Sequence, residues 1–439
     1  MKFGELIILE NGLICPSTPE EMEAIGLYSR GDSGASWVFK RRLYFGMGDA
    51  SAMRGGWLGS YMLHTPITEP IDGGAGTYVT SDLTVMEGDP EEEVTYENQI
   101  QRNFAVLTGW QNMTGVNFST HMHSCNGIQI GDRLFKVSFL LYSFNSGPSV
   151  PYNCIYYSDN GTTFKNRAGV ISYNETLADE GNGFDDSVIF NWYTNPKTVN
   201  FTFLKFICTL FDSNGVPTKS SDYGQPVTNL SGVPIYQDNK PVPDSEDLYC
   251  YMTGIKNISS EDAPNGILLA RAKVREQGVW LNADPTTDPI MNGASWEFWN
   301  GANFVSDIEE AVSIIAEKEW YWQADLQYSQ HHNKFILITQ TMTNQYFVSD
   351  WNPEETISCT ELYTSDRMTG PFKFEKKLVG TAYGDGNALA FVDALGIIAI
   401  YKDKIKGMLC TWKPSPNPQF DVSQAGYGNF LFDLPILSS

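Results

Sequence analysis

The chain has 439 residues, 42% hydrophobic and 18% charged, a composition typical of a folded globular protein and not of a disordered one. Its net charge of −23 argues against nucleic acid and against an anionic membrane surface as partners. No apolar run approaches the ~18 residues of a membrane-spanning helix, and the N-terminus lacks the pattern of a secretory signal.

Most of the chain consists of short runs rich in β-branched and aromatic residues, bounded by Gly, Asn, Asp or Pro. In chain order the clearest runs are "ASWVF", "RLYFGMG", "GIQIGDRLFKVSFLLYS", "NCIYYSD", "FTFLKFICTLFDS", "DLYCYMTGI", "GILLARAKV", "KFILITQTM", "TELYTSD" and "IIAIYKDKIKGMLCTW". This pattern predicts an all-β fold, and we favour a five-bladed β-propeller over a β-sandwich with insertions.

The same reading gives a simple domain organisation. Residues 1–24 are predicted to be an N-terminal extension, and residues 25–439 a single propeller domain. The stretch 213–247 is rich in Pro, Gly and Ser and lies between two strand patterns, so we interpret it as a long inserted loop. The best helix candidate is "SDIEEAVSIIAEKEW", residues 306–320, where Ser306 or Asp307 could cap a short amphipathic helix.

Three places combine a strand, a tight polar turn and an aromatic residue: "YYSDNGTTF" (156–164), "TLFDSNGVP" (209–217) and "YTSDRMTGPF" (363–372). The first resembles the Asp-box hairpin of sialidase-type propellers, and the third resembles the turns that end blades in sugar-cleaving propellers. Recurrent turns of this kind are typical of repeated four-stranded blades.

Two aspartates flank the first pair of predicted strands. Asp32 precedes "SWVF" and Asp49 follows "RLYFGM", with a short turn between the two runs. An antiparallel hairpin therefore brings both to the end of the sheet away from that turn. Both could be ordinary turn residues. Two carboxylates at one end of a strand pair can also divide into a general acid and an ionised base or nucleophile.

Further polar and aromatic side chains form candidate sugar-binding groups, since aromatic rings stack on sugar faces and polar groups bond hydroxyls. "ASWEFWNG" offers Trp296, Glu297 and Trp299, with Glu297 expected to face away from both tryptophans. "HMH" places two imidazoles on one strand face, as weak metal ligands or as polar groups at a propeller mouth. The full set of candidate binding residues is His121, His123, Trp296, Glu297, Trp299, Trp320, Trp322, Gln323, Asp325 and Tyr328.

The order of "GDSGASWVF…RLYFGMGDAS", "ILLARAKV", "ASWEFWNG", "WYWQADLQYSQHHNKFILI" and "YTSDRMTGPF" resembles the endo-D-arabinanase family, glycoside hydrolase family 183, earlier catalogued as domain of unknown function 4185. The resemblance covers residues 25–420 in short pieces. It implies a five-bladed β-propeller in which two aspartates of the N-terminal blade are essential, and Asp32 and Asp49 stand where these would fall. It also implies D-arabinan as substrate.

We therefore predict a glycoside hydrolase that cleaves a cell-surface polysaccharide with Asp32 and Asp49, without a cofactor or metal. The sequence leaves open which aspartate is the acid and whether configuration is retained or inverted. The alternative is a non-catalytic glycan-binding or structural propeller, for example a phage tail component with other virion proteins as partners. Either function predicts an extracellular or virion-associated protein that binds polysaccharide, not nucleic acid or membrane.

Overall fold

The computed structural model of the protein describes residues 1–13, 32–40, 42–52, 56–66, 84–85, 121–142, 150–161, 188–191, 199–217, 236–237, 240–241, 246–258, 265–281, 284, 287–317, 321–329, 331–343, 357–382, 392–412 and 427–437. Strands dominate these residues, and helical structure among them consists of short 3₁₀ turns. The apolar runs of the sequence form strands because extended chain buries β-branched and aromatic side chains well on a pleated surface. Among the described residues, no helix is long and apolar enough to cross a lipid bilayer.

The N-terminal part forms two strands that belong to a later sheet, followed by two antiparallel sheets of four strands each. The first sheet has the order β3-β4-β5-β6, and the second has the order β10-β9-β8-β7. The strands are β1 (Lys2–Phe3), β2 (Ile7–Leu13), β3 (Asp32–Phe39), β4 (Arg42–Ala52), β5 (Gly56–Pro66), β6 (Thr84–Val85), β7 (His121–Ile130), β8 (Arg133–Tyr142), β9 (Val150–Ser158) and β10 (Val188–Asn191).

The third sheet is the largest, with the order β11-β14-β15-β17-β18 and with β16 paired to the end of β15. A separate two-stranded ribbon, β12-β13, lies within the stretch predicted to be an inserted loop. The strands are β11 (Val199–Asp212), β12 (Tyr236–Gln237), β13 (Lys240–Pro241), β14 (Leu248–Ile258), β15 (Gly266–Glu276), β16 (Val279–Trp280), β17 (Glu297–Trp299) and β18 (Phe304–Val305). Two 3₁₀ turns, Pro289–Met291 and Gly293–Ser295, precede β17.

The fourth sheet has the order β19-β20-β21-β22, and the fifth joins the two ends of the chain. In the fifth sheet β23, β24 and β25 follow one another, and β1 and β2 pair with the other edge of β25. The strands are β19 (Tyr321–Ser329), β20 (Lys334–Thr343), β21 (Ile357–Ser365), β22 (Lys373–Ala382), β23 (Val392–Ile400), β24 (Lys404–Trp412) and β25 (Tyr427–Leu437).

The first strands of these sheets meet one another in the middle of the molecule. In the described part of the chain β3 contacts β7, β7 contacts β11, β11 contacts β19, β19 contacts β23, and β23 contacts β3. Sheets arranged around a common axis in this way form a β-propeller. The predicted all-β fold and its propeller arrangement are therefore confirmed.

Side chains join these inner strands, which are not paired with one another as sheets. The amide of Asn126 donates to the carbonyl of Phe206 at 2.8 Å and accepts from its N–H at 2.6 Å. The amide of Gln327 accepts from the N–H of Cys208 at 2.9 Å and donates to the carbonyl of Phe206 at 3.1 Å. Backbone groups buried at the centre of the propeller are thereby satisfied.

The three turn motifs found in the sequence are all turns in the structure. The hydroxyl of Ser158 accepts from the N–H of Gly161 at 2.8 Å, and the carboxylate of Asp212 accepts from the N–H of Val216 at 2.8 Å. Ser365 accepts in the same way from the backbone two residues ahead. Ser158 and Ser365 end the third strand of their sheets, whereas Asp212 ends a first strand, which explains the uneven spacing of the motifs.

The predicted helix at residues 306–320 is wrong. Only the 3₁₀ turn Ile308–Glu310 forms there, and the chain beyond it is irregular, with bends at residues 314 and 315, up to the last described residue of the segment. The N–H of Ile314 donates to the carbonyl of Ile267, and the hydroxyl of Ser313 accepts from the N–H of Ile267, both at 2.9 Å. These bonds to the edge of β15 replace the bonds that a helix would make within itself.

Candidate functional site

Asp32 and Asp49 lie on paired strands at one end of the first sheet. Asp32 is in register with Gly48, so Asp49 is the next residue along the neighbouring strand. The turn at Lys40 lies at the opposite end of this hairpin. The structure describes the backbone of both aspartates but not their side chains, and their catalytic role stays a prediction.

The two histidines of "HMH" begin the first strand of the second sheet. His121 pairs with Leu141 and His123 with Phe139, so both belong to the start of β7. Their side chains lie outside the described part of the structure. Among the side chains that are described, no group of three His, Cys, Asp or Glu residues could hold a metal ion.

The inner strand of every large sheet in the described chain has a β-bulge or register irregularity near its beginning. Each begins within the first four residues of its strand. Such irregularities bend a strand and redirect its side chains, and they are frequent beside active sites. They fall between Asp32 and Ala35 in β3, Ser124 and Gly127 in β7, Thr202 and Lys205 in β11, Tyr321 and Gln323 in β19, and Val392 and Ala394 in β23.

Contacts between the sheets show that the inner strands β3, β7, β11 and β19 run in the same direction. The N–H of Lys40, just after β3, donates to the side chain of Gln129 near the end of β7 at 2.9 Å. Contacts between β7 and β11 follow the same sense, and Phe211 meets Tyr328 near the ends of β11 and β19. We call the two ends of the propeller the Asp32 end and the Lys40 end; the length of β3 separates them by about 20 Å.

The aromatic motif around β17 is divided between the core and the surface. Trp296 is only 1% exposed, and its indole N–H donates to the carbonyl of Ile290 at 3.1 Å. Glu297 and Trp299 are both half-buried and lie on the same face of β17, with buried Phe298 between them. The expectation that Glu297 faces away from both tryptophans is therefore wrong, since residues two apart in a strand share a face.

The motif around β19 supplies mostly buried side chains. Gln323 and Asp325 are 5% and 3% exposed. The carboxylate of Asp325 accepts from the N–H of Ile397 on β23 and from the amide of Gln327, both at 2.8 Å. Asp325 therefore joins two inner strands of the propeller.

The structure does not describe the side chains of the two tryptophans of that motif. Trp322 lies on β19, and its side chain is outside the described part. Trp320 precedes the strand and is itself outside the described residues. Their predicted role in binding stays a prediction.

Trp299 and Tyr328 line a cleft of about 950 Å³ between the third and fourth sheets, which reaches the Lys40 end. Half-buried Phe304 and buried Phe335 lie beside them. Polar groups come from the turns that form its rim. The lining residues are Ser213, Asn214, Gly215, Val216, Pro217, Tyr251, Arg271, Trp299, Ala302, Asn303, Phe304, Tyr328, Asn333, Phe335, Asp366, Arg367, Met368 and Thr369.

Arg271 is the charged group on the third-sheet wall of the cleft, and it is held from several sides. Its Nε donates to the carboxylate of Glu297 at 2.7 Å. Its guanidinium carbon lies 4.1 Å from the ring centre of Phe304 and 4.4 Å from that of Tyr249. Burial raises the pKa of Tyr251 to about 12, although a hydrogen bond with Arg271 lowers it, so this phenol remains a neutral partner of the guanidinium.

Arg271 was not among the residues selected from the sequence. The available signal was the arginine inside "ILLARAKV", a run that is apolar except for Arg271 and Lys273 and becomes a strand buried at most positions. A half-buried arginine needs partners, and Glu297 is its neighbour across β15 and β17.

No family model matches the chain, and no curated protein matches it. Similar solved structures include a xylan beta-1,4-xylosidase from Bacillus halodurans C-125, 9% identical, covering 92% of this chain and 53% of that chain with a TM-score of 0.43. This chain therefore spans about half the length of the xylosidase.

Two further similar structures cover most of both chains. The GH43_1 enzyme from Xanthomonas citri, complexed with xylotriose, is 10% identical and covers 94% of this chain and 88% of that chain, with a TM-score of 0.40. An exo-1,5-alpha-L-arabinanase from a bovine ruminal metagenomic library is 8% identical and covers 94% and 95%, also with a TM-score of 0.40. At these values the comparisons assign neither an activity nor site residues to this chain.

Proposed function

We propose that the protein is a glycoside hydrolase whose active site lies at the Asp32 end of a five-bladed β-propeller. The observation that carries the proposal is the register of Asp32 with Gly48, which puts Asp49 one residue away on the adjoining strand. This pair lies at the end of the sheets where register irregularities recur. Propellers bind ligands where such strand ends gather around the central channel.

Five blades are supported by the same repeating features. The described strands include a ring of contacts from β3 through β7, β11, β19 and β23 back to β3. Each of these strands begins a sheet of four or more strands, and each has an irregularity near its start. The pairing of β1 and β2 with β25 would close the ring between the first and last parts of the chain.

In the proposed reaction one aspartate protonates the leaving oxygen of the glycosidic bond, and the other attacks the anomeric carbon or activates water. The separation of the two carboxylates decides the stereochemistry, at about 5 Å for retention and about 6.5–9.5 Å for inversion. Proton nuclear magnetic resonance of the first product anomer measures the outcome directly.

The proposed substrate is a neutral or weakly charged surface polysaccharide, because a chain with a net charge of −23 would repel a strongly anionic polymer. D-arabinan is the specific candidate by the sequence resemblance alone. A protein that acts on such a polymer would work outside the cell in which the protein was made. It would do so either as a free protein or as part of a virion.

The test is to incubate the protein with D-arabinan, L-arabinan, xylan, levan and bacterial surface polysaccharides, and to measure new reducing ends. We expect Asp32→Asn and Asp49→Asn each to reduce turnover by at least ~1000-fold, since each removes a group acting in the transition state. Asp132→Asn is the matched control, because Asp132 is an exposed aspartate of the β7–β8 turn at the Lys40 end.

Circular dichroism and thermal unfolding establish that the variants remain folded. Full activity in both active-site variants would refute the assignment of the aspartates. Polysaccharide binding with no new reducing ends from any polymer would replace the hydrolase with a glycan-binding propeller.

A further inference from the structure

The cleft at the Lys40 end has the features of a binding site but lies away from the proposed active site. Its rim consists of residues 213–217, Asn333 and residues 366–369, which belong to turns after β11, β19 and β21. Asp32 and Asp49 are at the other end of the strands, about 20 Å away along β3. One sugar ring cannot contact both places.

The cleft presents flat apolar surfaces in a fixed arrangement. The rings of Trp299 and Phe304 are 5.3 Å apart, and those of Tyr328 and Phe335 are 5.1 Å apart. Phe211 packs behind the second pair, with ring centres 5.8 Å from Phe335. Trp299 and Tyr328 are each half-buried, so each is anchored on one side and reaches the cleft on the other.

Two of the three charged residues that line the cleft are paired with a residue of opposite charge. Arg271 pairs with Glu297, and Asp366 pairs with Lys334, whereas the third, Arg367, is exposed at the rim. The guanidinium of Arg271 also lies against the ring of Phe304, so it is oriented before any ligand arrives. Charges that are paired in this way attract a strongly anionic or cationic ligand less than unpaired charges would, and the preorganised groups suit a ligand with hydroxyl groups.

Amides and hydroxyls complete the rim. Asn214 and Asn303 are exposed on the third-sheet side, and Asn333 is exposed on the fourth-sheet side, where it accepts a hydrogen bond from the hydroxyl of Tyr328 at 3.1 Å. Amide groups can both donate and accept, as sugar hydroxyls do. Aromatic faces surrounded by such groups match the two surfaces of a sugar ring.

We propose that this cleft is a second, non-catalytic site that binds a neutral or weakly charged oligosaccharide. Ring stacking on Trp299 and hydrogen bonds from Arg271 and Asn303 would hold the ligand. This proposal shares its ligand class with the proposed function but requires no reaction at Asp32 or Asp49. Two glycan sites at opposite ends would let the protein stay attached to a polymer while a different segment occupies the active site.

The test is affinity gel electrophoresis of the full chain in gels containing soluble arabinan, xylan, levan or dextran, using the double variant D32N/D49N so that the polymer is not cleaved. We expect at least one polymer to retard this protein. Adding Trp299→Ala or Asn303→Ala should weaken the retardation at least tenfold, as measured by the polymer concentration required. Trp280→Ala is the matched control, because Trp280 is a half-buried tryptophan of the same sheet outside the cleft.

Asn303→Ala tests the cleft even if Trp299→Ala fails to fold. The side chain of Asn303 is exposed, and the bonds between its backbone and Asn300 remain in the variant. Equal retardation of all variants, or retardation by none of the polymers, overturns the cleft proposal. If a Trp299→Ala protein with intact Asp32 and Asp49 releases reducing ends, the hydrolase proposal holds independently of the cleft proposal. Retardation that depends on Trp299, with no hydrolysis by the unaltered chain, would support the cleft alone.

Discussion

Asp288 is a fully buried carboxyl group that caps the 3₁₀ turn Pro289–Met291. One carboxylate oxygen accepts from the N–H of Ile290 at 2.9 Å, and the other has no hydrogen-bond partner among the described residues. Burial raises the pKa of Asp288 to about 7, outweighing the lowering by the Ile290 N–H and by the charge of Arg133. The folded protein therefore holds a proton here that the unfolded chain releases above pH 4.

We expect Asp288 to lower the free energy of unfolding as the pH rises from 4 to 7. Because the folded-state pKa is raised above the unfolded value, the stabilisation is complete below pH 4 and is lost as the pH rises through about 7. The full effect is about 4 kcal/mol for a shift of about three pKa units. Asp288→Asn should remove this slope, as measured by denaturant unfolding at pH 4, 5, 6 and 7.

Asp307→Asn is the matched control, because Asp307 caps an equivalent 3₁₀ turn by accepting from the N–H of Glu309 at 3.1 Å. Its variant should keep the pH dependence of the unaltered protein. Equal slopes in the unaltered protein and in Asp288→Asn would contradict the assignment.

Individual side chains show how far a sequence motif predicts a site. The aromatic motifs contained Trp299 and Tyr328, which line the cleft, but also Trp296, which packs in the core. Asp325, selected as a polar group beside aromatic residues, instead accepts from the backbone N–H of Ile397. Residue type and spacing show which side chains could bind a sugar, whereas the neighbouring sheet decides which face reaches solvent.

At the scale of elements, the close approach of β15 to the segment after the 3₁₀ turn Ile308–Glu310 depends on a glycine in β15. A Cβ built at Gly266 would lie 2.5 Å from both Cβ and Oγ of Ser313. Ser313 cannot move freely, because its hydroxyl accepts from the N–H of Ile267 at 2.9 Å. We expect Gly266→Ala to lower the free energy of unfolding by about 1–3 kcal/mol, as measured by denaturant unfolding.

A second substitution tests the mechanism of this loss. Ser313→Gly removes the atoms that the new methyl group would meet, although it also removes the bond to Ile267 at a cost of about 1 kcal/mol. The two substitutions should therefore be less than additive in a double-mutant cycle. Additive losses would show that the close approach does not limit the packing of β15.

The elements that the sequence predicted well are those specified locally. Asp212 forms its turn with the residues that follow it, and Ser158 does the same, so a pattern of a few residues was sufficient. The predicted helix at 306–320 failed because Ile314 bonds to Ile267, a partner far away in sequence. The strands were predictable from composition, but their order around the ring depends on contacts that no local pattern contains.

At the scale of the whole molecule, the N-terminal strands complete the last sheet. Lys2 pairs with Leu437 and Phe3 with Ile436, and β2 continues along the same edge of β25. The sequence suggested an N-terminal extension for residues 1–24, because nothing in the short apolar run there indicates that it pairs with β25 at the other end of the chain. In the structure its first thirteen residues cover an edge that would otherwise be open.

We expect a chain lacking residues 1–13 to be less stable and prone to self-association. Removal would leave the backbone of β25 unpaired on the side away from β24, and unpaired edges invite pairing with other chains. The midpoint of thermal unfolding should fall by roughly 2 °C or more, which corresponds to about 2 kcal/mol for a chain of 439 residues. Size-exclusion chromatography should show dimers or larger species.

Lys376→Met is the control for the loss of side-chain bonds to this segment. It removes the hydrogen bonds from Lys376 to the carbonyl of Gly4 and to the carboxylate of Glu5, but it leaves the strand pairing in place. If the truncated chain melts and elutes like the full one, β25 does not depend on its N-terminal partners and the proposed closure of the ring is lost with it.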